Sequence, residues 1–271
     1  MTGACDHLRA AWDARLDGLE PRVSLQLRSG GVPVAGRAAE APHYAASTIK
    51  LAVLGAWLEA GRTGALLVHP DFASAVGGRF EVRQADDQDD DTWAAVDSVV
   101  AAEALAARMI QASGNLATDL LVEDVGLASV AAFLERSGLG GSISMGRLIG
   151  DAAAETAGIT NTVTAAGLAE LLAGLVDGSL LRPAASAAAT TLLAGQQHRN
   201  LIPAGLPEGT WTASKSGWVP GVRHDVALVR PGGTPEYVLA ACTTGLGDEQ
   251  AETLIRDLSR ITYEEWTRWH G

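Results

Sequence analysis

Cysteine is nearly absent. The 271-residue chain holds two, Cys5 and Cys242, at opposite ends. That excludes a disulfide framework, and a single bridge would need the chain ends to meet, so two unpaired thiols are expected. No apolar run reaches the length of about 18 residues that a membrane span needs, so no transmembrane helix is expected. Basic residues are also short: 20 Lys and Arg stand against 32 Asp and Glu, for a net charge of −12. A partner rich in phosphate calls for a basic face, so neither nucleic acid nor an anionic membrane is expected. Internal repeats and low-complexity segments are missing too. Among the six histidines, no two have metal-ligand spacing, and no carboxylate is spaced for a Ser-His-Asp triad. No metal or cofactor is called for, and His43 and His224 are expected at a rim or surface.

Hydrophobic residues make up 47% and charged residues 19% of the chain, which suits a globular protein of one domain or two packed lobes. From Met1 to Glu20, charges interrupt the apolar residues in an amphipathic-helix pattern unlike a signal peptide. A cytoplasmic protein is therefore expected if Met1 is the natural start, and otherwise an exported one whose leader was removed. A monomer is expected.

Helical periodicity runs from Cys5 to Leu19. Alternating segments follow at Val23 to Arg28 and Val32 to Ala38, with Gly30-Gly31 as the hairpin turn. Helix returns from Ser47 to Ala60, with Gly61 as its stop. The spacing predicts further helices over 98–112, 116–125, 128–137, 165–176 and 184–195. The acidic run Asp86 to Asp91 is expected to be a solvated loop. Strands are predicted over 211–215, 224–230 and 236–243, then a helix from Asp248 to about Trp269. This order predicts an α+β fold. Residues 1–43 and 203–271 form a lobe with one five-stranded antiparallel sheet flanked by the terminal helices. Residues 44–202 form an all-helical lobe, and a substrate site is expected in the cleft between the two.

Three short motifs carry chemistry. In Ser47-Thr48-Ile49-Lys50 a serine opens a helix and a lysine follows one turn later on the same face. A serine hydroxyl needs an adjacent base. Lysine supplies one only if its pKa falls far below the free value of about 10.4. Ser113-Gly114-Asn115 lies between two helices, and Lys215-Ser216-Gly217 ends a strand and precedes Trp218.

A serine helix, an S-x-N loop and a K-[ST]-G strand, in that order, resemble the three signatures of serine β-lactamases and penicillin-binding enzymes. The chain is similar over nearly its whole length to class A β-lactamases, with Asn161-Thr162-Val163-Thr164 resembling the exit of that family's Ω-loop. The resemblance implies that Ser47 is acylated, that Lys50 is the base and that Ser113 relays the proton to the leaving nitrogen. It implies that Asn115 holds the substrate amide and Lys50, and that Lys215 and Ser216, helped by Arg223, bind a substrate carboxylate. The N–H groups of Ser47 and Trp218 would form the oxyanion hole. Trp93 is placed at the site's edge.

Two departures stand out. Gly114 replaces the family's usual acidic residue, which removes a loop-bracing carboxylate. The deacylating glutamate has no obvious counterpart: between Arg147 and Asn161 only Asp151 and Glu155 are carboxylates, and the usual offset from Thr164 lands near Leu148. The expected function is therefore hydrolysis of β-lactam or related amide and ester substrates through an acyl-enzyme on Ser47, with slow deacylation. A D,D-peptidase or an esterase of a small metabolite, and a catalytically silent ligand-binding protein, are the alternatives.

Overall fold

The computed structural model describes residues 2–19 and 22–271, so Met1 and Glu20 of the N-terminal stretch lie outside the described residues. In chain order the main elements are α1 (Thr2–Leu16), β1 (Arg22–Ser29), β2 (Val32–Arg37), α2 (Lys50–Ala60), α3 (Ala102–Gln111), α4 (Asn115–Val125), α5 (Leu127–Arg136) and α6 (Ala165–Asp177). Then come α7 (Pro183–Ala194), β3 (Trp211–Val219), β4 (Val222–Arg230), β5 (Tyr237–Thr244) and α8 (Asp248–His270). The fold is α+β, as the pattern predicts. The described residues divide into two compact units: Met1–Thr48 with Val163–Gly174 and His198–Gly271, and Ile49–Thr162 with Leu175–Gln197.

The first unit is built on one five-stranded sheet in the order β3-β4-β5-β1-β2, antiparallel throughout. Because side chains alternate across a strand, its register sorts them into two faces. Val23, Leu25 and Leu27 of β1, Ala227 and Val229 of β4, and Tyr237, Leu239 and Ala241 of β5 point to one face. There they share a core with Leu8, Trp12 and Leu16 of α1 and with Leu254, Ile255 and Leu258 of α8. The i, i+4 spacing in α1 places those three residues on one stripe. Trp12 Nε1 donates to Thr262 Oγ1 at 3.0 Å, giving the buried indole its partner. Both cysteines are free thiols, Cys242 buried and Cys5 half-buried.

The second unit centres on α2, where Lys50 through Trp57 are all buried. A helix apolar all round belongs inside a bundle. Gly55 explains how α5 packs so closely, since a Cβ there would lie 2.4 Å from the Phe133 ring. Gly61 ends α2 in the left-handed conformation at φ +62°. Two expectations need correction: the stretch 44–202 is not all-helical, since Asp71–Ala73 pairs with Arg79–Glu81, and residues Val99–Ala101 form a strand paired with Ala65–Leu67, so the helix starts only at Ala102. The β-branched pair Val99-Val100 favours the extended chain. No helix of the described residues is long and apolar enough to cross a membrane.

Candidate active site

In the first unit, Ser47 lies in a short 3-10 helix, Ala46–Ile49, that leads into α2. Ala46, just before it, is held at φ +43°, where a residue with a Cβ is strained. The segment lies on the sheet face opposite the terminal helices. His43 bonds Ser24 Oγ and Thr244 Oγ1, each at 2.8 Å, and His224 Nε2 donates to Tyr44 O at 2.9 Å. The two rings meet edge to face with centroids 5.3 Å apart. Both are buried, at 2% and 0% exposure, which corrects their expected rim placement. Their neutral hydroxyl, carbonyl and ring partners let them sit inside uncharged. Burial lowers His43 to about 3, with His224 and Arg22 adding to the effect. Burial lowers His224 as well.

Lys215 and Gly217 of β3 share this face, because they pair with Val226 and His224. A Cβ on Gly217 would stand 2.7 Å from Ser47 N and 2.8 Å from Thr48 N. Only glycine lets the strand backbone approach the serine segment so closely. Lys215 is buried, and its Nζ donates to Ser216 O at 2.7 Å. Ser216 and Trp218 pair with Asp225 and Arg223, so the pleat sends their side chains to the opposite face. There Ser216 Oγ is buried with no hydrogen-bond partner among the described residues. Trp218 meets His198 edge to face at 4.8 Å.

Arg223 is held by helix α8. Its Nη2 lies 2.8 Å from Asp248 Oδ2 and its Nε 3.7 Å from Glu252 Oε1, both in α8. Its Nη1 donates to the carbonyls of Val219 and Val222. The register explains this, since Arg223 sits on the face that packs against α8.

In the second unit, Lys50 is fully buried and its Nζ donates to Ser113 O, to Ser113 Oγ at 3.3 Å and to Asn115 Oδ1 at 2.8 Å. Burial lowers it from 10.5 to about 7, against the opposing pull of Asp87, Asp119 and Asp89. A lysine so placed exists partly as free amine near neutral pH. Ser113 adopts φ +63°, the strained conformation that turns its carbonyl and hydroxyl towards one ammonium.

The acidic run is solvated only in part: Asp86, Asp90 and Asp91 are exposed, whereas Asp87 and Asp89 turn inward. Asp87 Oδ1 accepts from Asn115 N at 2.7 Å and its Oδ2 from Leu116 N at 2.9 Å. Trp93 Nε1 also donates to Oδ2, so this tryptophan holds the carboxylate that holds the loop. Asp89 is buried at 5% exposure and accepts from Thr92 N and Oγ1. The brace that Gly114 gives up is supplied from another segment.

Both candidate loop carboxylates are committed. Asp151 caps the short helix Ala152–Thr156 through Ala154 N and accepts from Ser74 Oγ and Ala75 N, each at 2.9–3.0 Å. Burial alone would raise its pKa, but these bonds and Arg147 outweigh it and hold the carboxyl below the usual range. Glu155 pairs with Arg147 at 3.0 Å. Asn161 ties the same loop by accepting from Gly146 N and Arg147 N. Leu148 is buried at 7% exposure.

Besides Asp87, a second residue escaped the sequence. Asp119 follows Asn115 by one turn on the same face of α4. Its Oδ1 accepts from Ile149 N at 2.9 Å, and Oδ2 is buried with no hydrogen-bond partner among the described residues. Burial raises its pKa well above the usual value. The i, i+4 spacing from Asn115 was the only signal for it.

The sequence model of the Beta-lactamase enzyme family matches residues 18–266. Among solved structures, PBP-A is 23% identical with TM-score 0.81, over 97% of this chain and 96% of that one. A mutant of PBP-A, solved as an acyl-enzyme complex with penicillin G, is 22% identical with TM-score 0.79, over 99% and 97%. A β-lactamase from Xanthomonas campestris is 21% identical with TM-score 0.80, over 96% and 98%. No curated protein matches.

Proposed function

This chain belongs to the beta-lactamase enzyme family and is a serine hydrolase of the β-lactamase type, and we propose that it forms an acyl-enzyme on Ser47 and releases it slowly. The observation that carries this reading is Lys50, buried, lowered to about 7 and held by Ser113 and Asn115. Only Thr48 and Ile49 separate it from Ser47. In the first step the Lys50 amine takes the Ser47 hydroxyl proton as Oγ attacks the carbonyl of a β-lactam, amide or ester. The N–H groups of Ser47 and Trp218 stabilise the oxyanion. Collapse breaks the bond to the leaving group. The proton now on Lys50 reaches the leaving nitrogen through Ser113 Oγ, which Lys50 already touches at 3.3 Å. Lys215 takes the substrate carboxylate and Asn115 takes the substrate amide, whereas the Ser216 hydroxyl, on the opposite face of β3, takes no part.

Hydrolysis of the ester then needs a base for water. Asp151 and Glu155 are both spoken for, which supports slow release. The same commitment favours one alternative, a D,D-peptidase that passes its acyl group to another nucleophile. Intact-mass analysis after incubation with penicillin G tests the reading. The native protein should gain one penicillin mass, Ser47→Ala none, and Ser113→Ala the same adduct more slowly. An adduct on Ser47→Ala, or none on the native protein, would remove the assignment.

A further inference from the structure

Helix α4 begins without a cap of its own, because Gly114 in the capping position has no side chain to offer. The first N–H groups of a helix have no partner inside it and carry the positive end of its dipole. Here the two oxygens of Asp87 take Asn115 N and Leu116 N, from a loop 28 residues upstream. Asp87 is itself fixed by Trp93 Nε1 at 2.9 Å and Gln88 N at 2.7 Å. The same loop grips the Asn115 side chain: Nδ2 donates to Asp86 O at 2.7 Å while Oδ1 accepts from Lys50. Asp89 fills the space beside Gly114, where a Cβ would come within 2.8 Å of Asp89 Oδ2 and 2.9 Å of Asp89 Cβ. A side chain at 114 and Asp89 therefore exclude each other.

We propose that Asp87 is a positioning residue for acylation: it caps α4 from outside, fixes Asn115 and, through Asn115, Lys50, in place of a carboxylate at position 114. Its charge is part of the role. The charged groups that bear on Lys50 are Asp87 and Asp89 from the loop and Asp119 from α4, and Asp87 pulls hardest against the effect of burial. Removing that charge while loosening the cap should move two observables separately. The Lys50 midpoint should shift to lower pH, and the maximal acylation rate should fall. A purely structural brace would change only the second.

The proposal rests on the Ser47 acylation reading for its kinetic arm alone. In the first arm, the Lys50 ε-carbon is titrated by NMR in the free native protein, Asp87→Asn and Asp87→Ala. The native midpoint near 7 should fall in both variants, by a similar amount. In the second arm, acylation by penicillin G is followed against pH. Asp87→Ala should lose on the order of 10²-fold from the plateau, the scale of a small misplacement, and Asp87→Asn should lose less because its amide oxygen still caps one N–H. Adding Gly114→Asp and Asp89→Gly to Asp87→Ala should restore most of the plateau. An unmoved Lys50 midpoint in Asp87→Asn overturns the proposal, and so does a plateau that the added pair leaves unrescued. If native protein gains no penicillin adduct, the acylation reading fails while the Lys50 midpoint still decides the role of Asp87. Should Asp87→Ala not fold, Asp87→Asn carries both arms.

Discussion

The Nη2 of Arg223 lies 2.8 Å from Asp248 Oδ2, so the guanidinium that family resemblance assigns to a substrate carboxylate belongs to the first turn of α8. An acidic side chain near a helix N-terminus is favourable in itself, and here it also secures the only arginine of β4 that faces the core side. Arg223→Ala should therefore cost stability, about 1–2 kcal/mol from lost hydrogen bonds, and leave discrimination between acid and methyl-ester substrates unchanged. Lys215→Ala should lose that discrimination, by about 1.5–3 kcal/mol in kcat/KM for the acid. The ratio of the two substrates across the three proteins checks this. A collapse of the ratio in Arg223→Ala would return the carboxylate to Arg223.

Gly217 should tolerate no side chain. The Cβ of Gly217→Ala would meet two backbone nitrogens, Ser47 N and Thr48 N, and backbone yields far less readily than a side-chain tip. Acylation by penicillin G should drop at least tenfold, and toward 10²-fold if the serine segment shifts by about an ångström. The Lys50 midpoint should stay in place, since its bonds run to Ser113 and Asn115. Acylation at the native rate in Gly217→Ala would show that the serine segment can move without cost.

What the sequence made legible follows a simple division. Alternation and helical period are readable along one dimension, so all five strands of the main sheet and both terminal helices could be placed, within a few residues at most ends. The strand Val99–Ala101 was hidden because its three residues also fit the period of the helix that follows. Lys50, Ser113 and Asn115, which the structure brings together, could be singled out because motif spacing is local. Asp87 and Asp119 could not. The first acts across 28 residues from a run whose composition looks like a solvated loop, and the second is an ordinary helical aspartate until burial is known. The ion pair of Arg223 with Asp248 could not be read, because strand identity does not reveal which face the register turns inward.

The buried histidines contribute to acid stability with a predictable sign, opposed by the raised buried carboxyls of Asp225 and Asp119. Both histidines have folded pKa values below the unfolded value, so at these sites the unfolded chain binds more protons once pH falls below about 6.5. Their contribution should be flat above that and fall as pH drops towards about 3, where folded His43 titrates. Each histidine contributes a slope of up to about 1.4 kcal/mol per pH unit. Urea unfolding from pH 7 to pH 4 measures this, and His43→Gln should remove about one proton's worth of slope. An unchanged slope in that variant would mean that His43 is protonated in the folded protein.

Pre-steady-state turnover of a chromogenic β-lactam by native protein, Asp151→Asn and Glu155→Gln is the most direct measurement of slow release from Ser47. A burst of one equivalent should appear in the native protein, followed by a steady state slower by roughly 10²–10⁴-fold, the usual contribution of a positioned general base. Asp151→Asn should lose stability with its cap and loop bonds, by about 0.5–2 kcal/mol for the cap alone, and Glu155→Gln should lose little. Both should keep the native ratio of burst to steady rate. Rapid native turnover without a burst, with a burst appearing when either carboxylate becomes an amide, would contradict this and identify that residue as the base that activates water.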